Sequence, residues 1–167
     1  KGADRGVPRG SMVPLNAGET WSTERKDGGV LKVTAVAAAH ERLQVDAFGN
    51  HVYLGYCIDI DGIRIFHSGD CVPYDGLTEL LASLAIDVAF LPVNGRDAFR
   101  AQQGVPGNFT IEEALKIVRE SEIPCLVPHH FGMFDFNTVE PEDIERHIPS
   151  DGLSVLVPEL SVGYTVW

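Results

Sequence analysis

The chemistry-bearing residues of this chain are its histidines, His40, His51, His67, His129, His130 and His147, together with one aspartate, Asp70. Imidazole is the commonest protein metal ligand and the side chain that exchanges protons near neutral pH. His40, Asp70 and His130 each follow an apolar run with strand character. Side chains at strand ends emerge at one edge of a sheet, where they converge without burying charge in the core. Two imidazoles and a carboxylate are a partial ligand set for zinc, manganese or iron. A carboxylate can also bridge two metals, close enough together to share one hydroxide. Singly these signals are weak, since a lone histidine after a strand is more often a core or capping group, and Gly69-Asp70 reads as a turn. Their order and shared placement at strand ends point to a metal-dependent centre.

Asn94 and Arg96 lie in the loop after the run 88–92, at the same expected edge, and are candidate substrate contacts because arginine can clamp a phosphate with two parallel bonds. The competing reading makes Asn94-Gly95 a turn and Arg96 a solvated charge. His67 is expected to face away from the ligands and to be structural, while His51 is undecided. Trp21 and Phe134 read as packing groups. Cys57 and Cys125 sit in apolar runs and read as core, whereas Cys71 stands beside Asp70. Three cysteines without CxxC pairs favour neither a disulfide framework nor a zinc ribbon, and imply reduced thiols in a cytoplasmic protein.

The elements that must position these groups follow from periodicity and turn residues. Residues 1–29 read as an exposed connector with a short strand at the apolar stretch 12–15, then a turn at Asp27-Gly28-Gly29. Residues 30–36 alternate as a strand leading to His40. Residues 51–60 form a second strand, and Asp61-Gly62 turns tightly into a third at 63–67. Beyond Asp70, helix and buried strand alternate: a helix over 77–84 and a strand over 88–92. Thr110 and Glu113 form a capping box opening a helix to about residue 120. A strand over 126–128 follows, then a helix over 142–147 started by Pro141, and closing strands over 153–158 and 162–167. No internal repeat is present. The pattern predicts one α/β unit with a mixed sheet.

The chain has 167 residues, 44% hydrophobic and 22% charged, which suits one domain rather than two. Its formal charge of −11 repels polyanions and argues against a polynucleotide substrate. No apolar run approaches a membrane span, and no secretory signal is visible in a chain that starts at Lys1. A small-molecule substrate is therefore expected, with no membrane partner.

The run Ile65-Phe66-His67-Ser68-Gly69-Asp70 resembles the strand and Gly-Asp motif of the metallo-β-lactamase superfamily. His40 and His130 match the positions of further metal histidines of that family, the latter because it is followed by the aromatic-glycine pair Phe131-Gly132. The segments Ala38-Ala39-His40-Glu41, Leu91-Pro92-Val93-Asn94-Gly95-Arg96 and 128–134 resemble the branch containing L-ascorbate-6-phosphate lactonase. The resemblance implies an αββα sandwich with one or two divalent transition metals, zinc or manganese, held by His40, Asp70 and His130. It implies hydrolysis of a small anionic metabolite, such as a phosphorylated sugar lactone, by a metal-bound hydroxide, with Asp70 at the catalytic centre. Cys71 stands where the family usually has threonine. The family's HxHxDH signature is absent from this sequence, so residues 30–167 are expected to be the C-terminal half of the domain, with 1–29 ending the first half. Such a half alone is expected to expose an apolar sheet face, to need an N-terminal half or oligomeric partner, and to be inactive by itself. The alternatives are a phosphodiesterase of the same fold and a non-catalytic half-domain.

Overall fold

The computed structural model describes residues 6–132, 134–159 and 162–163. Strand β1 (Thr20–Glu24) and β2 (Val30–Ala37) form a hairpin whose turn is closed by bonds from the Arg25 N–H to the Gly29 carbonyl and from the Gly28 N–H to the Arg25 carbonyl. The first strand is therefore at 20–24 and not at 12–15, where a single 3-10 turn (Arg9–Ser11) leads into extended chain. Pro14 cannot donate to a ladder, whereas Thr20, Trp21 and Thr23 are β-formers that pair with β2.

Strands β3 (Leu54–Ile60) and β4 (Ile63–His67) continue the antiparallel meander. Asp61 and Gly62 join them, both at positive φ (54° and 93°), as a two-residue hairpin with the strands' own twist requires. Helix α1 (Leu77–Leu84) crosses to β5 (Val88–Pro92), and α2 (Ala98–Gln102) and α3 (Ile111–Glu120) cross to β6 (Cys125–His129). Helix α4 (Pro141–Arg146) leads to the two-residue β7 (Ser154–Val155). Strands β4 to β7 are parallel, giving one seven-stranded sheet in the order β1-β2-β3-β4-β5-β6-β7.

The sequence anticipates most of these elements. The capping box is present in full, with the Glu113 N–H donating to the Thr110 hydroxyl and the Thr110 N–H to the Glu113 carboxylate. Helix α2 was not anticipated: it is short, and its Asp97 cap lies in a Gly- and Arg-rich loop. The closing strand over 153–158 contracts to β7, and the strand expected over 162–167 falls mostly outside the described residues.

The two faces of the sheet differ. On one, Val36, Cys57, Phe66, Ala89, Leu91 and Leu126 pack against Leu77 and Leu81 of α1, Ile111, Leu115 and Val118 of α3 and Ile144 of α4. On the other, the register aligns Trp21, Val33, Ile58, Ile65, Val88 and Cys125 in one cross-strand row. Val88, Cys125 and Val127 are buried there with Phe90 and Leu156, but Leu31, Val33, Ile58, Ile60, Ile63 and Ile65 stay partly exposed. Among the described residues no helix is long and apolar enough to cross a membrane.

Candidate metal centre

Strands β2, β4, β5 and β6 run in the same direction, because β2 and β4 flank the antiparallel β3 while β5 and β6 lie parallel to β4. Their C-terminal ends share one edge of the sheet. His40 follows β2, Asp70 follows β4 and His130 follows β6, so topology alone draws residues far apart in sequence together. The Asp70 carboxylate lies between the two imidazoles, with Oδ2 at 3.6 Å from His40 Nε2 and Oδ1 at 3.5 Å from His130 Nε2. These separations are too long for hydrogen bonds. They match ligand atoms sharing a metal, which stand about 3.4 Å apart when each bond is about 2.1 Å and the angle tetrahedral. The side chains are 23%, 44% and 21% exposed for His40, Asp70 and His130, leaving the centre open on one side.

The backbone around each of these three residues is tightly specified. His130 has φ 63° and Glu41, next to His40, φ 72°, conformations that non-glycine residues seldom adopt. The turn into Asp70 passes through Gly69 at φ 63°, and its N–H donates to His67 Nδ1 at 3.0 Å. Gly55 of β3 admits this turn, because a Cβ there would stand 2.8 Å from the His67 carbonyl oxygen and 3.0 Å from Ser68 Cα. The hydroxyl of Tyr74 donates to the Ala37 carbonyl at the end of β2, and the Tyr53 ring lies 5.0 Å from that of His40.

Cys71 joins the His40 and Asp70 segments. Its sulfur accepts from the Ala39 N–H at 3.4 Å and donates to the Val72 carbonyl at 3.3 Å. Burial pushes the thiol up to about 11, so it stays protonated at neutral pH. Cys57 and Cys125 are also buried, and all three cysteines are free.

His67 and His129 lie beside the centre. The His67 ring stacks on Phe90 at 5.8 Å and contacts the His129 ring at 4.5 Å. Burial holds His67 below its ordinary value, partly opposed by Asp70. Burial, then the neighbouring His67 and His130, take His129 down to about 3, so its ring is neutral at physiological pH. His129 Nε2 and His130 Nδ1 are buried without hydrogen-bond partners among the described residues. The backbone N–H and ring of His51 in the loop between β2 and β3 bond to Asn16, and His147 pairs with Glu112.

Asn94 and Arg96 are engaged within the fold. Asn94 is 3% exposed and bonded through both ends of its amide, to Asn108 and Asn137. Both terminal nitrogens of the Arg96 guanidinium meet the Glu113 carboxylate, at 2.6 Å and 2.5 Å, and one also donates to the Asn108 carbonyl. Arg96 nevertheless borders a cavity of about 440 Å³ whose walls include Glu41, Val72, Pro73, Ala98 and Val105. Glu41 adjoins His40 in sequence and Val72 lies two residues beyond Asp70, while none of His40, Asp70 and His130 lines this space. Asn108, Asn137, Tyr53 and Tyr74 carried no sequence signal, since isolated asparagines in Gly- and Pro-containing loops read as turns.

The donor chemistry fits a divalent transition metal: two Nε2 atoms and a bidentate-capable carboxylate face one another across ligand-like distances. Among the described residues no group of three or more His, Cys, Asp and Glu side chains is arranged to hold a metal ion as the side chains stand. Asp70 turns one carboxylate oxygen toward each of the two imidazoles.

The profile of the beta-lactamase superfamily domain matches residues 3–131, and the chain belongs to that superfamily. Its mixed sheet with helices on one face is the metallo-β-lactamase α/β architecture. The chain is 28% identical over 158 residues to a UPF0173 metal-dependent hydrolase of Rubrobacter xylanophilus, covering 92% of this chain and 59% of that protein. It is 29% identical over 167 residues to one of Methanoculleus marisnigri, covering 97% and 65%. The chain thus spans about three-fifths of the length of these relatives. Among solved structures, Igni18, a metallo hydrolase of Ignicoccus hospitalis, superimposes with a TM-score of 0.63 at 24% identity over 88% of this chain and 57% of that one.

Proposed function

We propose that the chain is the metal-binding C-terminal half of a metal-dependent hydrolase that opens a small ester or lactone, with His40, Asp70 and His130 as its metal ligands. The observation that carries this reading is the position of Asp70, whose two oxygens each address a different imidazole at 3.5–3.6 Å. The names of the relatives, metal-dependent hydrolases, support the reaction class.

A divalent metal bound there supplies Lewis-acid polarisation and lowers the pKa of water, so neither serine nor cysteine need serve as nucleophile. The chain's own groups do the rest. His130 itself and Glu41, the residue after His40, have positive φ, and Asp70 follows the Gly69 turn, so the ligand atoms are pre-oriented. The cavity of about 440 Å³ is large enough for a small metabolite. Its only arginine is already paired with Glu113, and Glu41 adds a negative charge, so the cavity favours a neutral ring over a phosphate. The cavity chemistry accordingly supports an uncharged lactone as the substrate.

The partly exposed isoleucines of the far sheet face, and the share of the relatives' length that this chain spans, support a second sheet layer supplied upstream or by a partner. Free buried thiols support a reducing, cytoplasmic setting. The test is a panel of lactones and phosphodiesters assayed with zinc or manganese, using the protein with its full complementary half. Lactone hydrolysis lost in Asp70→Asn supports the reading. Phosphodiester cleavage alone would move the function to the alternative substrate class, and inactivity of a fully metal-loaded protein on both would remove the hydrolase reading.

A further inference from the structure

Three asparagines from separate loops form a continuous chain of side-chain hydrogen bonds beside the centre. The Cys71 N–H, part of the peptide that follows Asp70, donates to Asn108 Oδ1 at 2.9 Å. Asn108 Nδ2 donates to Asn94 Oδ1 at 3.0 Å, and Asn94 Nδ2 donates to Asn137 Oδ1 at 2.7 Å. Arg100 donates to that same Asn137 oxygen at 2.9 Å and to the Asn94 carbonyl at 2.8 Å. Asn94 and Asn108 are 3% and 2% exposed, so water does not replace these bonds cheaply.

The direction of the chain is fixed at both ends. A backbone N–H can only donate, which turns the Asn108 oxygen toward Cys71 and its amide nitrogen toward Asn94. A guanidinium can only donate, which turns the Asn137 oxygen toward Arg100. Each middle amide then has one allowed orientation, and flipping any of them sets oxygen against oxygen or nitrogen against nitrogen. The two ends of the relay matter for the centre. One is the peptide carrying Asp70. The other is the loop that leaves His130, which is closed by a bond from the Gly132 N–H to Thr138 Oγ1 and one from the Asn137 N–H to the Phe134 carbonyl. Midway, the Val93 N–H adjoining Asn94 donates to the His129 carbonyl at 3.0 Å.

We infer that Asn108, Asn94 and Asn137 are positioning residues: a directional amide relay, anchored by Arg100, that sets the Asp70 segment against the His130 segment. Asn94 therefore serves the site through its neighbours and does not reach substrate. The link to metal binding rests on the proposed function, but the relay itself is testable without metal.

The experiment is native-state amide exchange followed by NMR on the metal-free chain and on Asn94→Asp and Asn137→Ala. Asn94→Asp keeps the acceptor for Asn108 and replaces the donor to Asn137, while Asn137→Ala changes a partly exposed loop residue and leaves the buried amides in place. Neither residue touches Cys71. The relay predicts that the Cys71 amide exchanges about tenfold faster in both variants, a change worth one hydrogen bond. The Val118 amide in α3 reports global stability and is expected to change by less than the Cys71 amide. The His130 ring proton line shifts in both variants while that of His147 stays. Cys71 exchange that changes no more than Val118, or a His130 line that stays fixed while Cys71 exchange rises, overturns the relay. Both outcomes are read without metal and so are separate from any failure of the hydrolase reading.

Discussion

Replacing Cys71 tests how the two ligand-bearing segments are joined. The side chain is 1% exposed and its sulfur holds the Ala39 N–H, one residue before His40, and the Val72 carbonyl, two residues beyond Asp70. Cys71→Ala leaves the Ala39 N–H buried and unpaired, at about 1–3 kcal/mol. The small void left by the sulfur adds about 1 kcal/mol. The expected total is about 2–4 kcal/mol, or roughly 4–16 °C in Tm for a chain of this size. Cys71→Ser keeps a donor and an acceptor at the same carbon, though with less reach, and should lose only about 1 kcal/mol. The backbone bond from the Val72 N–H to the Ala39 carbonyl persists in both and keeps the segments in register. Urea unfolding followed by tryptophan fluorescence measures both variants. Equal losses for alanine and serine would refute the bonded role of the sulfur and leave packing alone. The native thiol, pushed up to about 11 by burial, should also resist alkylation at pH 8 until the protein unfolds.

Further outcomes follow from the same geometry. His129 has its pKa lowered from 6.5 to about 3, so the unfolded state binds a proton that the native state refuses between those values. Its contribution is full above pH 6.5 and falls as the pH drops through that window, by at most about 1.4 kcal/mol per pH unit; urea midpoints at pH 7.5, 6 and 5 should decline, and His129→Gln should flatten the decline. Arg96→Gln and Glu113→Gln, combined in a double-mutant cycle, should show coupling of about 1 kcal/mol that shrinks in high salt, since the pair is partly exposed. No measurable coupling would free Arg96 for a ligand. His67→Phe keeps a ring over Phe90 but removes the acceptor of the Gly69 N–H, whereas His67→Asn keeps the acceptor and removes the stack. Zinc affinity measured against a chromophoric chelator should fall at least tenfold in the first and less in the second.

The meander, the capped helix α3 and the strand ends carrying His40, Asp70 and His130 were legible because each rests on local pattern: period-two alternation, the Asp61-Gly62 turn, the Thr110–Glu113 box. The convergence of these three side chains was legible too, since strands running in one direction put their ends at one edge. What stayed hidden depends on tertiary packing. Arg96 read as a substrate clamp because nothing local announces that Glu113, counted only as a capping residue, also neutralises it. Asn94-Gly95 read as a turn, and the partners that give Asn94 its role lie 14 and 43 residues away. The strand at 20–24 was missed because the apolar stretch at 12–15 drew attention from a polar edge strand whose side chains are mostly exposed.

The central claim is that His40, Asp70 and His130 form one metal site, and the most direct measurement is zinc titration of the chain followed through its histidine ring proton resonances. The account predicts that the lines of His40 and His130 shift together with a single midpoint, that those of His51 and His147 stay in place, and that Asp70→Asn abolishes the joint shift. Zinc that leaves His40 and His130 unmoved, or that moves them at separate midpoints regardless of Asp70, would contradict it.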